Sequence, residues 1–563
     1  MLKKARRSAL ASAALTMLAL LVVPVAADAS STASFTPRIS PNGEPDEVDP
    51  SSIEVDGDAG ANKIAMIRAG NEVSIGDESG ITAGSRCTQV DPTHVNCPDA
   101  DESLVDAMAG DDDVLAQESL HTTVYGGDGA DTVSSAGDIT GDAGNDVLTG
   151  IDTSFGQQVD GGDGDDQIRG GPEGDRLFGG PGKDTIDGGP GDDVIDPDAG
   201  GETTDNDVVD GGDGRDLLDW SGRTVALTVN LADPGPDGAA GESDQIGGVE
   251  DVNTGDGNDT IVGTDGPNRI DPGAGRDDVT ARGGRDDAAA SAGNDVFDLG
   301  AGSDTISFSD SERPVTVNLS DSKPDGAKGS LDTLRGVENV IGSQPRDDFK
   351  GDTLVGDRKA NTLVGLLGSD RIRGGGGKDK LYGEGRPSDI DGSPVAGSQL
   401  DLTYPAVDRL TGGSGDDLLV GGLDGDVLDG GLGDDRILGG VGRGFSDSEP
   451  KDARGVDIVT YASRSKGIRA STRSGGGARG EHDSYSDIEG IRGGSGNDVL
   501  TGRRKLADVL IGGRGHDRLD GLSGKDKLLA ADGQRDIVNC GADRDRFSAD
   551  GKDRVRGCEI TAG

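Results

Sequence analysis

The chain has 563 residues, with 106 Asp and Glu against 54 Lys and Arg, a formal net charge of −52. Gly supplies 100 residues, well over twice the usual share of roughly 7 per cent, while aromatics number only eight Phe, five Tyr and one Trp. This acidity excludes counterion-displacing binding to nucleic acid, the scarcity of rings excludes a conventional aromatic core, and Gly without a strict three-residue period excludes collagen. What remains is a disordered acidic chain or a repeat whose charge is neutralised by cations.

In chain order, Lys3, Lys4, Arg6 and Arg7 form a positive n-region, and residues 9–25 are mostly apolar. Val25-Ala26-Ala27 offers a small-residue cleavage site, so residues 1–27 read as a secretory signal peptide. The apolar run falls short of the roughly 20 residues needed to span a bilayer, and Pro24 interrupts it. A secreted, extracellular mature chain is expected to start near Asp28, with no membrane span left, and its four Cys suit an oxidising compartment. Residues 28–51, rich in Ser, Thr and Pro, read as a flexible leader. Residues 52–120 hold short runs such as Ile53–Val55, Lys63–Arg68 and Glu72–Ile75 between Gly and Asp, which predict short strands. Cys87 and Cys97 lie here and are expected to close a short disulfide loop.

After residue 121 a nine-residue period takes over, in blocks over 121–219, 254–307, 356–382, 403–442 and 493–563. The clearest stretch, Gly161–Asp196, reads GGDGDDQIR, GGPEGDRLF, GGPGKDTID and GGPGDDVID. Position six holds Asp166, Asp175, Asp184 and Asp193, and position eight holds Ile168, Leu177, Ile186 and Ile195. The later blocks keep the register. Position six carries Asp259, Asn268, Asp277, Asp286, Asp295 and Asp304, then Asn361, Asp370 and Asp379, then Asp408, Asp417, Asp426 and Asp435. The last block carries Asp498, Asp508, Asp517, Asp526 and Asp536.

The Gly-rich half of each unit permits tight turning, and the other half suits a very short strand with one inward aliphatic residue. One unit cannot bury that side chain alone. Two units make one flat coil, and stacked coils pair their strands in parallel about 4.8 Å apart. The expected fold is therefore all-β, a parallel solenoid. Position-six carboxylates two units apart, such as Asp166 and Asp184, then fall one above the other. At about 5 Å and an effective dielectric near 20, each ionised pair repels by roughly 3 kcal/mol. A hard divalent cation between turns removes that penalty, and carboxylates with Gly-rich carbonyls suit Ca²⁺ better than Mg²⁺ or Zn²⁺.

The nonapeptide resembles the hemolysin-type, repeats-in-toxin calcium-binding motif GGxGxDx(large aliphatic)x, and Asp175–Asp193 fits its extended pattern throughout. The resemblance implies a parallel β-roll with multiple Ca²⁺ ions in the turns, held by the position-six Asp residues named above. Asn268 and Asn361 depart from it by lacking the charge, and Glu173 replaces a position-four Gly.

Between the blocks lie insertions at 220–253, 308–355 and 443–492 and a linker at 383–402. Thr228–Val252 aligns without gaps with Thr316–Val340, and a degenerate copy spans Lys466–Ile491. All three retain an Asp/Glu pair: Asp244 and Glu250, Asp332 and Glu338, Asp483 and Glu489. They read as protruding hairpins or loops tolerated by the solenoid, with a ligand-facing module as the alternative, and with Trp220, Phe308 and Tyr461 plugging small cores. Near the C-terminus Cys540 opens the unit CGADRDRFS and Cys558 lies one full coil further on, which predicts a capping disulfide.

None of His94, His121, His482 and His516 sits in H-E-x-x-H, and no G-x-S-x-G elbow or Walker A sequence occurs. The expected function is calcium binding by a non-enzymatic, secreted structural or matrix protein. A calcium-dependent adhesin is the alternative and a polysaccharide-modifying enzyme a third. Expected partners are calcium ions, with cell-surface or matrix glycans or proteins beyond them, and no nucleic acid.

Overall fold

The computed structural model describes residues 52–561, except 58–59, 70–71, 78–87, 99–101, 118–120, 152–153, 200–204, 234, 346–349, 385–405 and 441–454. The expected signal peptide and leader lie outside the described residues, as do Cys87 and most of the expected linker. All regular structure among the described residues is strand. The chain divides into two compact units, 1–168 and 169–563.

In the first unit, parallel stacking begins at Ser52, upstream of the recognisable nonapeptides. Ser52–Asp56 pairs in parallel with Glu102–Asp106, which pairs with His121–Asp128, and that with Ile139–Ala143. An opposite wall runs through Lys63–Ala69, Asp113–Gln117, Thr132–Ser135 and Val147–Gly150. The coils here are irregular: from Val105 to its partner Val124 the coil is longer than two nonapeptides, and from Val124 to its partner Ile139 it is shorter. That irregularity obscures the period upstream of residue 121. At the outer end Lys63–Ala69, Glu72–Asp77 and His94–Pro98 form an antiparallel meander.

The second unit has the regular coil. Leu410 pairs with Leu428 on one wall and Leu419 with Ile437 on the other, each pair separated by two nonapeptides. All four are buried between the walls, as the position-eight pattern requires. The turn geometry outlasts its glycines. Arg282, Leu366 and Leu522 replace the position-two Gly yet keep φ of 76°, 74° and 71°, a left-handed conformation costing of order 1 kcal/mol for a side-chain-bearing residue.

The insertions are hairpin-like, with antiparallel pairing inside each, and their outer strands are spliced into the walls, the first two into one wall and the third into the other. In the first, Leu227–Asn230 and Asp244–Gly247 flank Pro236–Ala239, which is antiparallel to both. The outer two rejoin parallel neighbours, Val229 facing Ile261 and Ile246 facing Val209. The second copy repeats this with Val317 facing Leu354 and Leu334 facing Phe297. In the third, Arg469–Ser471 pairs antiparallel with Gly475–Gly477 and parallel with Val499–Thr501. The opposite wall continues across each splice without interruption, through Leu218–Val252, Ile306–Val340 and Val459–Ile491. Trp220, Phe308 and Tyr461 are buried where each splice begins. Beside Trp220 the buried Arg223 guanidinium pairs with Asp198 and Glu242, both at 2.6 Å.

Candidate metal-binding turns

Each position-six side chain points inward. All nineteen Asp residues expected as ligands are at most 2 % exposed. Their burial follows from a ladder: the backbone N–H of one such Asp donates to Oδ1 of its counterpart one coil on. Asp175 donates to Asp193 and Asp193 to Asp216 (2.7 and 2.9 Å). Asp259, Asp277 and Asp295 continue into Asp332 of the second insertion. Asp286 donates to Asp304. Asp370, Asp408 and Asp426 run into Asp457, and Asp379, Asp417 and Asp435 into Asp483. Asp498 leads to Asp517 and Asp536, and Asp508 to Asp526 and Asp545. Asp184 donates to Asp207, and in the first unit Asp146 donates to Asp166.

One carboxylate oxygen is thereby satisfied. Among the described residues, Oδ2 of Asp193, Asp277, Asp370, Asp379, Asp417, Asp426, Asp435, Asp517 and Asp526 is buried without a hydrogen-bond partner. A buried orphaned anionic oxygen is costly unless a cation or proton meets it. The position-one glycine shows what lies around it. A Cβ on Gly412 would stand 2.3 Å from Asp417 Oδ2 and 2.3 Å from the Gly430 carbonyl oxygen of the next coil. At position four, Gly415 has φ of 137°, and a Cβ there would strike the Gly377 carbonyl oxygen. At Gly412 and Gly415 the missing Cβ leaves this space between carboxylate and carbonyl oxygens open.

The carboxyls titrate accordingly. Burial is the leading cause that pushes Asp193 up to about 6, Asp277 to about 7 and Asp207 to about 8, with neighbouring ladder carboxylates adding to each. Asp370 and Asp426 rise further, to about 10 and about 9, again chiefly through burial and then through Asp408. The donor set fits a hard cation, being all oxygen and mixing anionic carboxylate with backbone carbonyl. Among the described residues no three acidic, His or Cys side chains converge on one metal position. Each Asp-bearing turn supplies one position-six carboxylate, so carbonyls would have to make up the remaining ligands.

Asn268 and Asn361 occupy the ladder rather than interrupting it. Each follows a Glu that ends an insertion: Glu250 accepts from Asp216 N–H, and Glu338 from Asp304 N–H. Asn268 Nδ2 donates to the Glu250 carbonyl at 2.5 Å, and Asn361 Nδ2 to the Glu338 carbonyl at 2.9 Å. The third copy reaches neutrality differently. Glu489 accepts from Asp457 N–H, and Arg503 lies between Asp508 (3.0 Å) and Glu489 (3.7 Å). The amides therefore stand where another carboxylate would sit beside a Glu.

Sequence reasoning missed further rungs. Asp112, Asp131 and Asp146 form the first unit's ladder. Asp244 accepts from Asp207, and Asp352 donates to Asp370. The shared Asp/Glu pairs were the available signal for the insertion rungs. In the first unit Asp131 and Asp146 stand at position six of the nonapeptides GGDGADTVS and GDAGNDVLT, which was the available signal there.

The C-terminal prediction holds: Cys540 and Cys558 are disulfide-bonded with Cα atoms 5.1 Å apart. Cys97 is also disulfide-bonded. No helix among the described residues is long and apolar enough to cross a membrane.

Two walls of parallel strands, Gly-rich turns and an inward carboxylate in nearly every repeat, with Asn268 and Asn361 the exceptions, define a β-roll of nonapeptide repeats. The family model for the RTX calcium-binding nonapeptide repeat (4 copies) matches residues 123–139, 138–150, 160–195, 253–288, 280–310, 351–385, 408–445, 491–504 and 506–537. The chain carries hemolysin-type, RTX calcium-binding nonapeptide repeats over these segments. No curated protein matches it.

Proposed function

We propose that the chain is a secreted, non-enzymatic scaffold whose β-roll is held together by Ca²⁺ in the turns, with a structural or extracellular-matrix role. The observation that carries this is the row of buried, unpartnered Oδ2 atoms, which in repeats such as that of Asp417 lie beside carbonyl oxygens in space that a position-one glycine leaves open. Asp193, Asp277, Asp286, Asp370, Asp379, Asp417, Asp426, Asp435, Asp517 and Asp526 would each contribute one carboxylate oxygen. Bound Ca²⁺ supplies charge neutralisation between coils. The repeat family and the disulfide at the last coils support an oxidising, extracellular setting. Circular dichroism of the full chain with and without chelator tests the reading. The β signal should fall on Ca²⁺ removal and return on its addition, and an unchanged spectrum would refute it.

A further inference from the structure

The charge is not evenly spread. Residues 461–563 carry 19 Lys and Arg against 16 Asp and Glu, in a chain whose totals are 54 and 106. Of those sixteen acids, Asp483, Asp498, Asp508, Asp517, Asp526, Asp536 and Asp545 are buried in the ladder. The accessible surface of this end is therefore cationic.

The cations are also ordered. On the wall formed by Arg469–Ser471, Val499–Thr501, Arg518–Asp520, Ile537–Asn539 and Arg554–Arg556, parallel register aligns Arg469, Val499, Arg518, Ile537 and Arg554 in one outward column. All three Arg are exposed, and Ile537 is 40 % exposed between two of them. Arginine recurs at every second strand, about 9.6 Å apart, with an aliphatic side chain between. Among the described residues Arg469 and Arg554 make no ion pair, and Arg518 has only a 3.9 Å contact with Asp520. Hydrogen-bonding columns flank this one. Asn497, His516 and Arg535 lie on one side, and Thr501, Asp520 and Asn539 on the other.

We propose that this face binds an extended acidic polysaccharide lying along the stacking direction, with one carboxylate per disaccharide. The Arg interval matches the rise of an extended disaccharide unit. Val499 and Ile537 offer apolar contact to pyranose C–H faces between the charges, and the flanking amides and hydroxyl suit sugar hydroxyls. A second copy of this chain is also acidic, but it would make no use of the alternating aliphatic residues. The inference goes beyond the calcium-held scaffold and needs only that it be folded.

The test uses the full chain in saturating Ca²⁺, with circular dichroism and Ca²⁺ stoichiometry confirming the scaffold in every arm. The probes are a hyaluronate decasaccharide, a neutral chitin oligosaccharide and polyglutamate. The hyaluronate should bind at least tenfold tighter than either other probe. The triple variant R469Q/R518Q/R554Q should lose at least tenfold of that affinity. Ile537→Ser should lose severalfold for hyaluronate and nothing for polyglutamate. No hyaluronate binding by folded protein, equal binding of polyglutamate, or an unaffected triple variant would each overturn the proposal. Self-association that the triple variant abolishes, without hyaluronate binding, would overturn it in favour of a second copy. Loss of the β fold in Ca²⁺ would instead count against the scaffold.

Discussion

Asp417→Asn separates the cost of the carboxylate ladder from its use. Asp417 Oδ1 accepts the Asp379 N–H at 2.8 Å, and Asp417 N–H donates to Asp435 Oδ1 at 2.9 Å. Asn keeps the accepting oxygen and removes the charge. Burial, and then neighbours that include Asp417, hold Asp379 at about 6 and Asp435 at about 7. At pH 8 Asp379 and Asp435 are mostly ionised, and an ionised Asp417 one coil from each would be repelled by up to roughly 3 kcal/mol per pair. Relief, reduced by relaxation, should stabilise the Ca²⁺-free coil by about 1–3 kcal/mol at pH 8, and much less at pH 5, where the neighbours hold protons. Hydrogen-exchange protection of residues 406–440, corrected for intrinsic rates, is the assay. In metal-free buffer at pH 8 the variant should be protected roughly 5- to 150-fold more than the parent. Saturating Ca²⁺ should reverse the order, because the variant lacks one anionic donor. Lower protection of the variant at pH 8 without Ca²⁺, or the same gain at pH 5, would refute the ladder as a store of repulsion.

The pH dependence of the Ca²⁺-free protein follows from the raised carboxyls. A folded-state value above the ordinary 3.8 contributes stability that is complete below 3.8 and lost as pH rises through 6 to 8, the range of Asp193, Asp277 and Asp207. Circular dichroism of metal-free protein should therefore show β structure gained on acidification from pH 8 to 5, and Ca²⁺ should flatten the profile. Asp184→Ala should lower Ca²⁺ stoichiometry and local stability more than Asp187→Ala at position nine or Asn361→Ala; calorimetric titration that returns equal stoichiometry for the three would contradict the ligand assignment. Replacing Cys540 and Cys558 by Ser should remove up to about 3 kcal/mol of cross-link stabilisation, seen as faster exchange confined to the final coils. Fraying spread evenly over the second unit would contradict a capping role.

The regular coil was legible in the sequence because it needs only two local facts per repeat, an aliphatic residue at position eight and an acid at position six. The Cys540–Cys558 pairing came from the same arithmetic. Three features were not legible. The ladder itself depends on which carboxylate oxygen faces the backbone N–H, and no pattern of residue types encodes that. The splice geometry was hidden because an alternating run such as Thr228–Asn230 pairs equally well with a hairpin partner or a solenoid wall. The coils before residue 121 escaped because unequal coil lengths, as from Val105 to Val124, break the period while preserving the parallel pairing.

The insertions show what the stack requires of any segment that enters it. A coil must deliver an acceptor to each N–H left by the coil before, or a buried backbone donor is orphaned. The first insertion delivers two: Asp244 for Asp207 on the spliced wall and Glu250 for Asp216 on the continuous one. The second delivers Asp332 for Asp295 and Glu338 for Asp304. Beyond the splice the ladder restarts, with Leu227, Val315 and Ile468 donating to Asp259, Asp352 and Asp498. In all three copies the acceptor on the continuous wall is the longer Glu, and the next rung is neutralised by Asn268, Asn361 or Arg503. Two amides that looked like lost calcium ligands thus remove the charge beside an admitted Glu, as Arg503 offsets it in the third copy. A segment lacking either acceptor would leave the wall open at that point, which explains why the degenerate third copy keeps Asp483 and Glu489 while most of the rest has diverged.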